Sequence, residues 1–376
     1  MKYVTVYRDA NFFSSFPSLC ILPDNRVAVV FRRAGSFSVA AAKRDNPTHH
    51  DTDSQTCLII SGNGGNSYDS STLQVVTKIE HGVNDPGISL LSDGRLLLRN
   101  TVMQVCKTTE RKSLLTPIAA HRPDLGTIST VIGQCIQFSY DGGHNWSEPE
   151  IIHLENDPKL MVSREQIVEL EDGTLLMSVY TCLANASDNA YVIRSWDRGK
   201  TWQDQSLMAA DENGKRSIFQ GISFNETAML NLGGGRVIAL LRADSDYHTD
   251  ESYMAIGGIG QLFQAYSYNA GFSWTKPKPT GIFGQPAHLL KLNDGRILCT
   301  YGYRKQPFGV KAVLSSDEGK TWNVEKALTL KENCLFWDMG YPVSAQRADG
   351  KIITVYYWVD EAKTRFIESV IWDITE

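Results

Sequence analysis

The 376-residue chain contains no apolar run approaching the roughly 20 residues that a membrane-spanning helix needs. No run of basic residues appears either, and the formal net charge is −5. Nucleic acid is therefore not an expected partner, since phosphate binding needs clustered Lys and Arg. The cysteines number seven and are scattered without a Cys-x-x-Cys pair. Their odd count predicts unpaired thiols in a reducing compartment, with Cys20, Cys57, Cys135 and Cys299 buried in apolar strands. The N-terminus, MKYVTVYRDANFF, lacks the apolar core of a signal peptide, so a cytoplasmic location is expected. Nowhere does a 3.6-residue apolar period persist over three turns. What remains, 42% hydrophobic and 21% charged, is an ordinary globular composition that reads as all-β.

What the chain does have is repetition. The stretch SSDEGKTW at 315–322 returns as SYDGGHNW at 139–146, SWDRGKTW at 195–202 and SYNAGFSW at 267–274. A decayed copy, SGNGGNSY, stands at 61–68. The motif explains itself as a turn. Asp, or Asn at 63 and 269, accepts hydrogen bonds from backbone N–H groups nearby. The Gly two positions later supplies a positive φ, and the closing Trp buries a large apolar surface. Asp141, Asp197 and Asp317 thus read as turn ties, not as catalytic groups.

A second repeat fixes the architecture. Six segments place a tight turn between two apolar runs, with turns at Asp24-Asn25, Asp93-Gly94, Asp172-Gly173, Gly234-Gly235, Asp294-Gly295 and Asp349-Gly350. Asp-Gly between apolar runs is a strong hairpin signal. After each of the first five hairpins comes a variable loop, a strand, the eight-residue turn and another strand. Four-stranded antiparallel meanders repeated radially make a β-propeller, here a single domain of six blades over 1–376. The terminal segments KYVTVYR and ESVIWDI are expected to pair and close the ring.

This topology predicts faces. With the strands of a blade called A to D, the A–B hairpins and the eight-residue turns share one end, the bottom. The start of A and the end of B lie at the top. The top positions are Arg32 and Arg33, Asp85 and Arg99, Arg164, Glu165 and Tyr180, Glu226 and Arg242, His288 and Arg304, then Tyr341, Tyr356, Tyr357 and Trp358. The long B–C connections, 34–56, 100–134 and 243–261, are expected as loops walling a pocket there. Charged residues end strands in many proteins, but equivalent placement in five blades predicts a site.

On these motifs the whole chain resembles the sialidase (neuraminidase) superfamily, six-bladed propellers with such Asp-box turns. The resemblance implies roles one residue at a time. GYPVSAQRADGKIITVYYW matches the last blade and implies Tyr341 as nucleophile. NETAMLNLGGGRVIALLR implies Glu226 as its base, with Arg242 binding substrate. YGYRKQPFGVKAVLSSDEGKTW implies a further substrate arginine, Arg304. THHDTDSQTCLIIS implies Asp51 as acid/base, with Asp53 the alternative. Arg33, Asp85, Arg164 and His288 complete the expected substrate contacts. The Arg-Ile-Pro triplet that opens the first blade in that family reads Ser15-Phe16-Pro17 here.

The implied activity is retaining hydrolysis of a terminal acidic sugar, sialic acid or a relative. A carboxylate nucleophile would be repelled by the sugar's own carboxylate, whereas a neutral phenol is not. A phenol ionises near pH 10, so it needs a neighbouring base. Tyrosine-nucleophile sialidases depart from the two-carboxylate scheme in this way. Two alternatives stand: a propeller glycosidase or lyase for another sugar, and a non-catalytic propeller that binds glycan. Small-molecule or glycan partners are expected, and no membrane. His49 and His50 beside Asp51 have no second ligand cluster, so no metal and no other cofactor is expected.

Overall fold

The computed structural model describes residues 1–113, 120–152, 161–182, 187–210, 222–245 and 260–374. Its regular structure is almost entirely strand, in six antiparallel sheets that are the blades of a six-bladed β-propeller. Blade 1 runs Phe13–Ile21, Val27–Ala34, Gln55–Ser61 and Gln74–Thr77. Blade 2 runs Gly82–Leu90, Leu96–Lys107, Thr127–Ser139 and Glu150–Ile151. Blade 3 has an interrupted first strand, Met161–Val162 and Val168–Glu169, then Leu175–Thr181, Ala190–Ser195 and Gln203–Ala209. Blade 4 runs Ile222–Gly233, Arg236–Ser245, Gln261–Ser267 and Lys278–Phe283. Blade 5 runs Ala287–Lys291, Ile297–Tyr303, Gly309–Ser315 and Leu328–Glu332. Blade 6 runs Gly340–Gln346, Ile352–Val359 and Arg365–Trp372, and its fourth strand is the N-terminal Lys2–Tyr7. The expected pairing of the two chain ends is thus present, with Lys2 opposite Ile371. The chain divides into two compact units, Met1–Ile151 with Cys334–Glu376, and Ile152–Asn333.

Both faces of a blade are covered, so its second strand reads as a continuous apolar run. In blade 1 the two faces separate by parity. Val27, Val29 and Phe31 pack with Ile353, Val355 and Tyr357 of blade 6. Ala28 and Val30 pack with Ile88, Leu96 and Leu98 of blade 2. Blade 4 does the same, with Val237, Ala239 and Leu241 facing blade 3 and Ile238 and Leu240 facing blade 5. Each such side chain, buried from water, contributes about 1.5–3 kcal/mol. Cys20, Cys57, Cys135 and Cys299 lie in these cores as free thiols, and burial pushes Cys20 and Cys135 up to about 12. Among the described residues no helix is long and apolar enough to cross a membrane.

The eight-residue turns are tied as their sequence predicts. Asp317 Oδ1 accepts from Ser315 Oγ at 2.8 Å and from Thr321 N at 2.9 Å, and its Oδ2 accepts from Thr321 Oγ1 at 2.6 Å. Gly319 N closes the knot onto Ser315 Oγ at 2.8 Å. Asp141 and Asp197 make the same contacts, and Asn269 and Asn63 accept the same backbone N–H through Oδ1 while their Nδ2 donates to a serine hydroxyl. Gly319 is required twice over: its φ is +82°, and a Cβ there would stand 2.3 Å from Ile238 Cδ1 of the preceding blade. The A–B hairpins share this end, since Arg236 pairs with Glu318 and Ala270 N donates to Gly235 O. Most of these hairpins hold one residue more than a two-residue Asp-Gly turn. Leu91 N bonds Arg95 O and Gly94 N bonds Leu91 O, so Ser92, Asp93 and a left-handed Gly94 form the loop.

Asp317→Ala is expected to lower unfolding free energy by about 1–3 kcal/mol, because Thr321 N and two hydroxyls lose their acceptor. Chemical denaturation measures this, and an unchanged midpoint would contradict the structural role given to the turn.

Candidate active site

Four blades carry the same defect in their first strand. The pairing with the second strand skips between Ser15 and Ser18, between Asn84 and Gly87, between Asn225 and Ala228, and between Gly340 and Val343. In each, two residues on the first strand oppose one on the second, which is a β-bulge. The first bulged residue has positive φ every time: Phe16 at 51°, Asp85 at 46°, Glu226 at 20° and Tyr341 at 52°. None is glycine, so each is strained by about 1–3 kcal/mol. A bulge tolerates proline because its N–H leaves the ladder. Hence Pro17, Pro86 and Pro342 follow three of the four, with Thr227 after the other. Asp85, Glu226 and Tyr341, predicted from sequence, are thus one structural position in three blades. Phe16 is the fourth occupant, and its signal was the residue-before-proline pattern at strand starts.

Register also identifies which blade 1 arginine matches Arg242. Ser15 opposes Arg32 as Asn225 opposes Arg242, each just before the bulge. Parity sends the neighbouring Arg33 to the blade 6 side, where Nη1 donates to Tyr7 Oη at 3.0 Å and the guanidinium covers Phe12 at 4.1 Å. Arg33, expected at the substrate, is therefore occupied by aromatic packing, and Arg32 takes the equivalent position. Tyr356 likewise faces away, its hydroxyl donating to Glu368 at 2.7 Å.

Tyr341 sits in an aromatic cage held by one carboxylate. Its ring lies 4.6 Å from that of Phe16 and 5.7 Å from that of Tyr357. Phe16 also contacts the His49 ring at 4.6 Å. Asp338, almost wholly buried, accepts from Tyr357 Oη at 2.7 Å and from His49 Nε2 at 3.0 Å. Burial opposes its charge, but His49, Arg365 and the Tyr357 hydroxyl outweigh burial and hold Asp338 well below the usual carboxylate range. Asp338 escapes sequence reading because its role comes from contacts between distant segments. Asp51 is buried in the same unit, accepting from Ser38 Oγ at 2.8 Å, while Asp53 is exposed.

In the other unit Glu226 Oε2 accepts from Arg242 Nη1 at 2.6 Å, and Arg242 Nε reaches Asp244 at 2.8 Å. Asn225 braces this pair by donating to Asp188 and Asp244. Blades 3 and 5 meet where Arg164, paired with Glu165, donates to Ala287 O at 2.9 Å and His288 Nε2 bonds Gln166 at 3.2 Å. Arg304 is buried at the end of its strand. Two of the expected loops are different in kind. Residues 34–56 contain a helix, Ser36–Lys43. Residues 100–107 and 127–134 are paired strand, with Lys107 opposite Thr127, because β-branched Thr101, Val102, Val105, Ile128, Thr130 and Val131 extend the ribbon. The third, 243–261, falls mostly outside the described residues.

The model of the BNR repeat-like domain family matches residues 118–354. No curated protein sequence matches the chain. Among solved structures, a protein of unknown function from Dyadobacter fermentans DSM 18053 is 23% identical, with TM-score 0.83 over 100% of this chain and 98% of that one. A mutant NanB sialidase from Streptococcus pneumoniae is 13% identical, with TM-score 0.67 over 98% of this chain and 70% of that one. The intramolecular trans-sialidase from Ruminococcus gnavus is 13% identical, with TM-score 0.65 over 98% of this chain and 97% of that one. At these identities the likeness is one of fold.

His288, which is buried, and the half-buried His50 generate a pH dependence. Burial pushes His50, bonded to Ser129 Oγ at 2.7 Å, and His288 down to about 3 from an ordinary 6.5. The unfolded chain then takes up protons that the fold refuses, so stability is full above 6.5 and falls as pH drops toward about 3. Denaturation midpoints across this window should decline, and His50→Gln should flatten the decline. Constant stability across the window would contradict neutral burial.

Proposed function

The chain belongs to the BNR repeat-like domain family, and we propose that it is a retaining exo-glycosidase of the sialidase type with Tyr341 as nucleophile. The observation that carries this reading is the shared bulge, which gives Tyr341 and Glu226 the same strained, aimed backbone position. In the first step the Tyr341 oxygen bonds the anomeric carbon while Glu226 takes the phenolic proton. The glycosidic bond breaks, and the leaving oxygen takes a proton from the Asp51–Asp53 segment. In the second step that segment deprotonates water, the water oxygen forms its bond to the anomeric carbon as the bond to Tyr341 breaks, Tyr341 takes its proton back from Glu226, and configuration is retained.

A terminal acidic sugar, sialic acid or a relative, is the substrate that Arg242 and Arg304 favour, with Asp85, Arg164 and His288 holding its hydroxyls. One observation favours a second sugar class. Blade 1 fills its bulge with Phe16 and leaves Ser15 where an arginine would grip a carboxylate, which supports a neutral sugar on the same chemistry.

A panel of aryl glycosides, 2-keto acid sugars and neutral ones together, tests the reaction. Tyr341→Phe should abolish turnover of whichever donor is accepted, and Glu226→Gln should lower kcat by about 10²–10⁴-fold. Turnover by Tyr341→Phe near the parent's rate would exclude the nucleophile. Calorimetry tests the sugar class. Arg304→Ala should weaken an unsaturated sialic acid analogue by about 10–150-fold and a neutral analogue far less. Equal losses for the two ligands would select the neutral sugar.

A further inference from the structure

The A–B hairpins close in one way, and the hairpin of blade 6 changes the residue at the junction. Leu22, Leu91, Leu170 and Leu292 each donate their N–H to the carbonyl four residues on, and Arg347 does the same to Lys351. In blade 4, Leu232 stands at the matching place before the glycine turn. The five leucines are 3–6% exposed. Leu22 shows what such a leucine packs against: a Cβ on Gly142, fourth residue of the blade 2 eight-residue turn, would lie 4.0 Å from its Cδ1. Blade 6 meets blade 1 through the same two positions. There a Cβ on Gly64, fourth residue of the blade 1 turn, would lie 3.4 Å from Arg347 Nη2. A guanidinium thus stands where five blades bury leucine.

The turn that faces Arg347 has also lost bulk. It is the decayed copy SGNGGNSY, with Gly62 at the second position, where three other copies carry Tyr140, Trp196 and Tyr268. A Cβ on Gly62 would meet nothing within 4 Å, and its backbone lies outside the left-handed region. Both departures border one cavity of about 270 Å³, lined by Asp24, Asn25, Gly62, Gly64, Arg347 and Asp349 among others. The cavity lies at the turn end of blades 1 and 6, whereas Phe16 and Tyr341 stand at the starts of the first strands of those blades. It is therefore separate from the candidate active site.

Packing does not account for Arg347. A leucine there would repeat the other five hairpins, whereas a half-buried guanidinium loses hydration. Its one carboxylate partner among the described residues is Asp349 at 3.2 Å, which is 45% exposed, and such a pair adds little stability. Local rules are broken in this way chiefly at functional sites. The arginine fork matches a carboxylate, which it grips through two parallel hydrogen bonds. Asp24 and Asp349 beside it are acceptors for hydroxyl groups, and their charges disfavour a dianion such as phosphate. The volume lies below the roughly 300–1,000 Å³ of drug-sized pockets, which leaves room for a ligand the size of a single sugar. We propose that this cavity binds a small hydroxy acid, with its carboxylate on Arg347 and its hydroxyls on Asp24 and Asp349. The site stands independently of the glycosidase reading.

The test is ligand titration of the full chain labelled with ¹⁵N-glycine, read by NMR from the Gly62 and Gly64 amides, which report this cavity and not the candidate active site. The ligands are D-glucuronate and D-gluconate, a ring acid and an open-chain acid, with D-glucose, propionate and inorganic phosphate as controls. At least one of the two acids should move both amides to saturation, and the tighter of them tells ring from open chain. The controls should bind at least about 10-fold more weakly. Arg347→Leu should weaken the acid by about 10–150-fold, with a denaturation midpoint at or above the parent's because it restores the repeated leucine. Gly62→Tyr fills the cavity, keeps Arg347 and should abolish the shifts, so the test survives if Arg347→Leu fails to fold. No shift with either acid, a control that binds as tightly as the acids, or undiminished binding in either folded variant would overturn the proposal.

Discussion

The two-for-one bulge at the start of four first strands is the constraint on which the candidate site depends. A regular strand alternates its side chains between two faces, and in a blade both faces are packed against other blades. A side chain that must point along the strand, out of the end of the blade, has no place in that alternation. The bulge supplies one by removing a residue from the ladder at positive φ. Its strain is offset by the paired strands on either side, whose apolar residues are fully buried in both directions. Within one unit the paired strands hold Phe16, Asp85 and Tyr341 with little freedom to rearrange, and within the other they hold Glu226 in the same way.

Electrostatics then fixes those side chains. Arg242 lies between Glu226 and Asp244, and Asp338 gathers His49 and Tyr357 around the ring of Tyr341. Pairs of this kind add little net stability compared with apolar packing, but removing one partner strands a buried charge. They define a geometry more than they strengthen the fold. The stability of the molecule lies in the blade cores and in the knotted turns at the opposite end. The Asp-box aspartates, although the most repeated acidic residues in the chain, are spent on turn geometry.

Much of this was legible in the sequence, because repetition reports local chemistry. The eight-residue motif encodes its own hydrogen bonds, and six hairpin signals set the blade count and strand order. The shared strand-start position of Tyr341, Glu226 and Asp85 could be read because each is fixed by a following turn. Where two adjacent residues compete, sequence reading loses precision. Arg32 and Arg33 differ only by parity, and parity shows itself only once Val29 and Phe31 are seen to face blade 6. Asp51 is set apart from Asp53 by its bonds to Ser38 of the helix Ser36–Lys43, which at eight residues is too short to leave a periodic signature. Asp338 lies before the last blade with no motif around it, and its importance arises from His49, which is 289 residues away in sequence.

The central claim is that a phenol on a strained bulge is the nucleophile. Trapping the covalent intermediate tests it most directly. Activated fluorosugars, in acidic and neutral forms, would be incubated with the protein and the labelled peptide sequenced by mass spectrometry. The account predicts one sugar equivalent attached to Tyr341, between Gly340 and Pro342. A sugar attached instead to Asp51, Asp53 or Glu226 would contradict it.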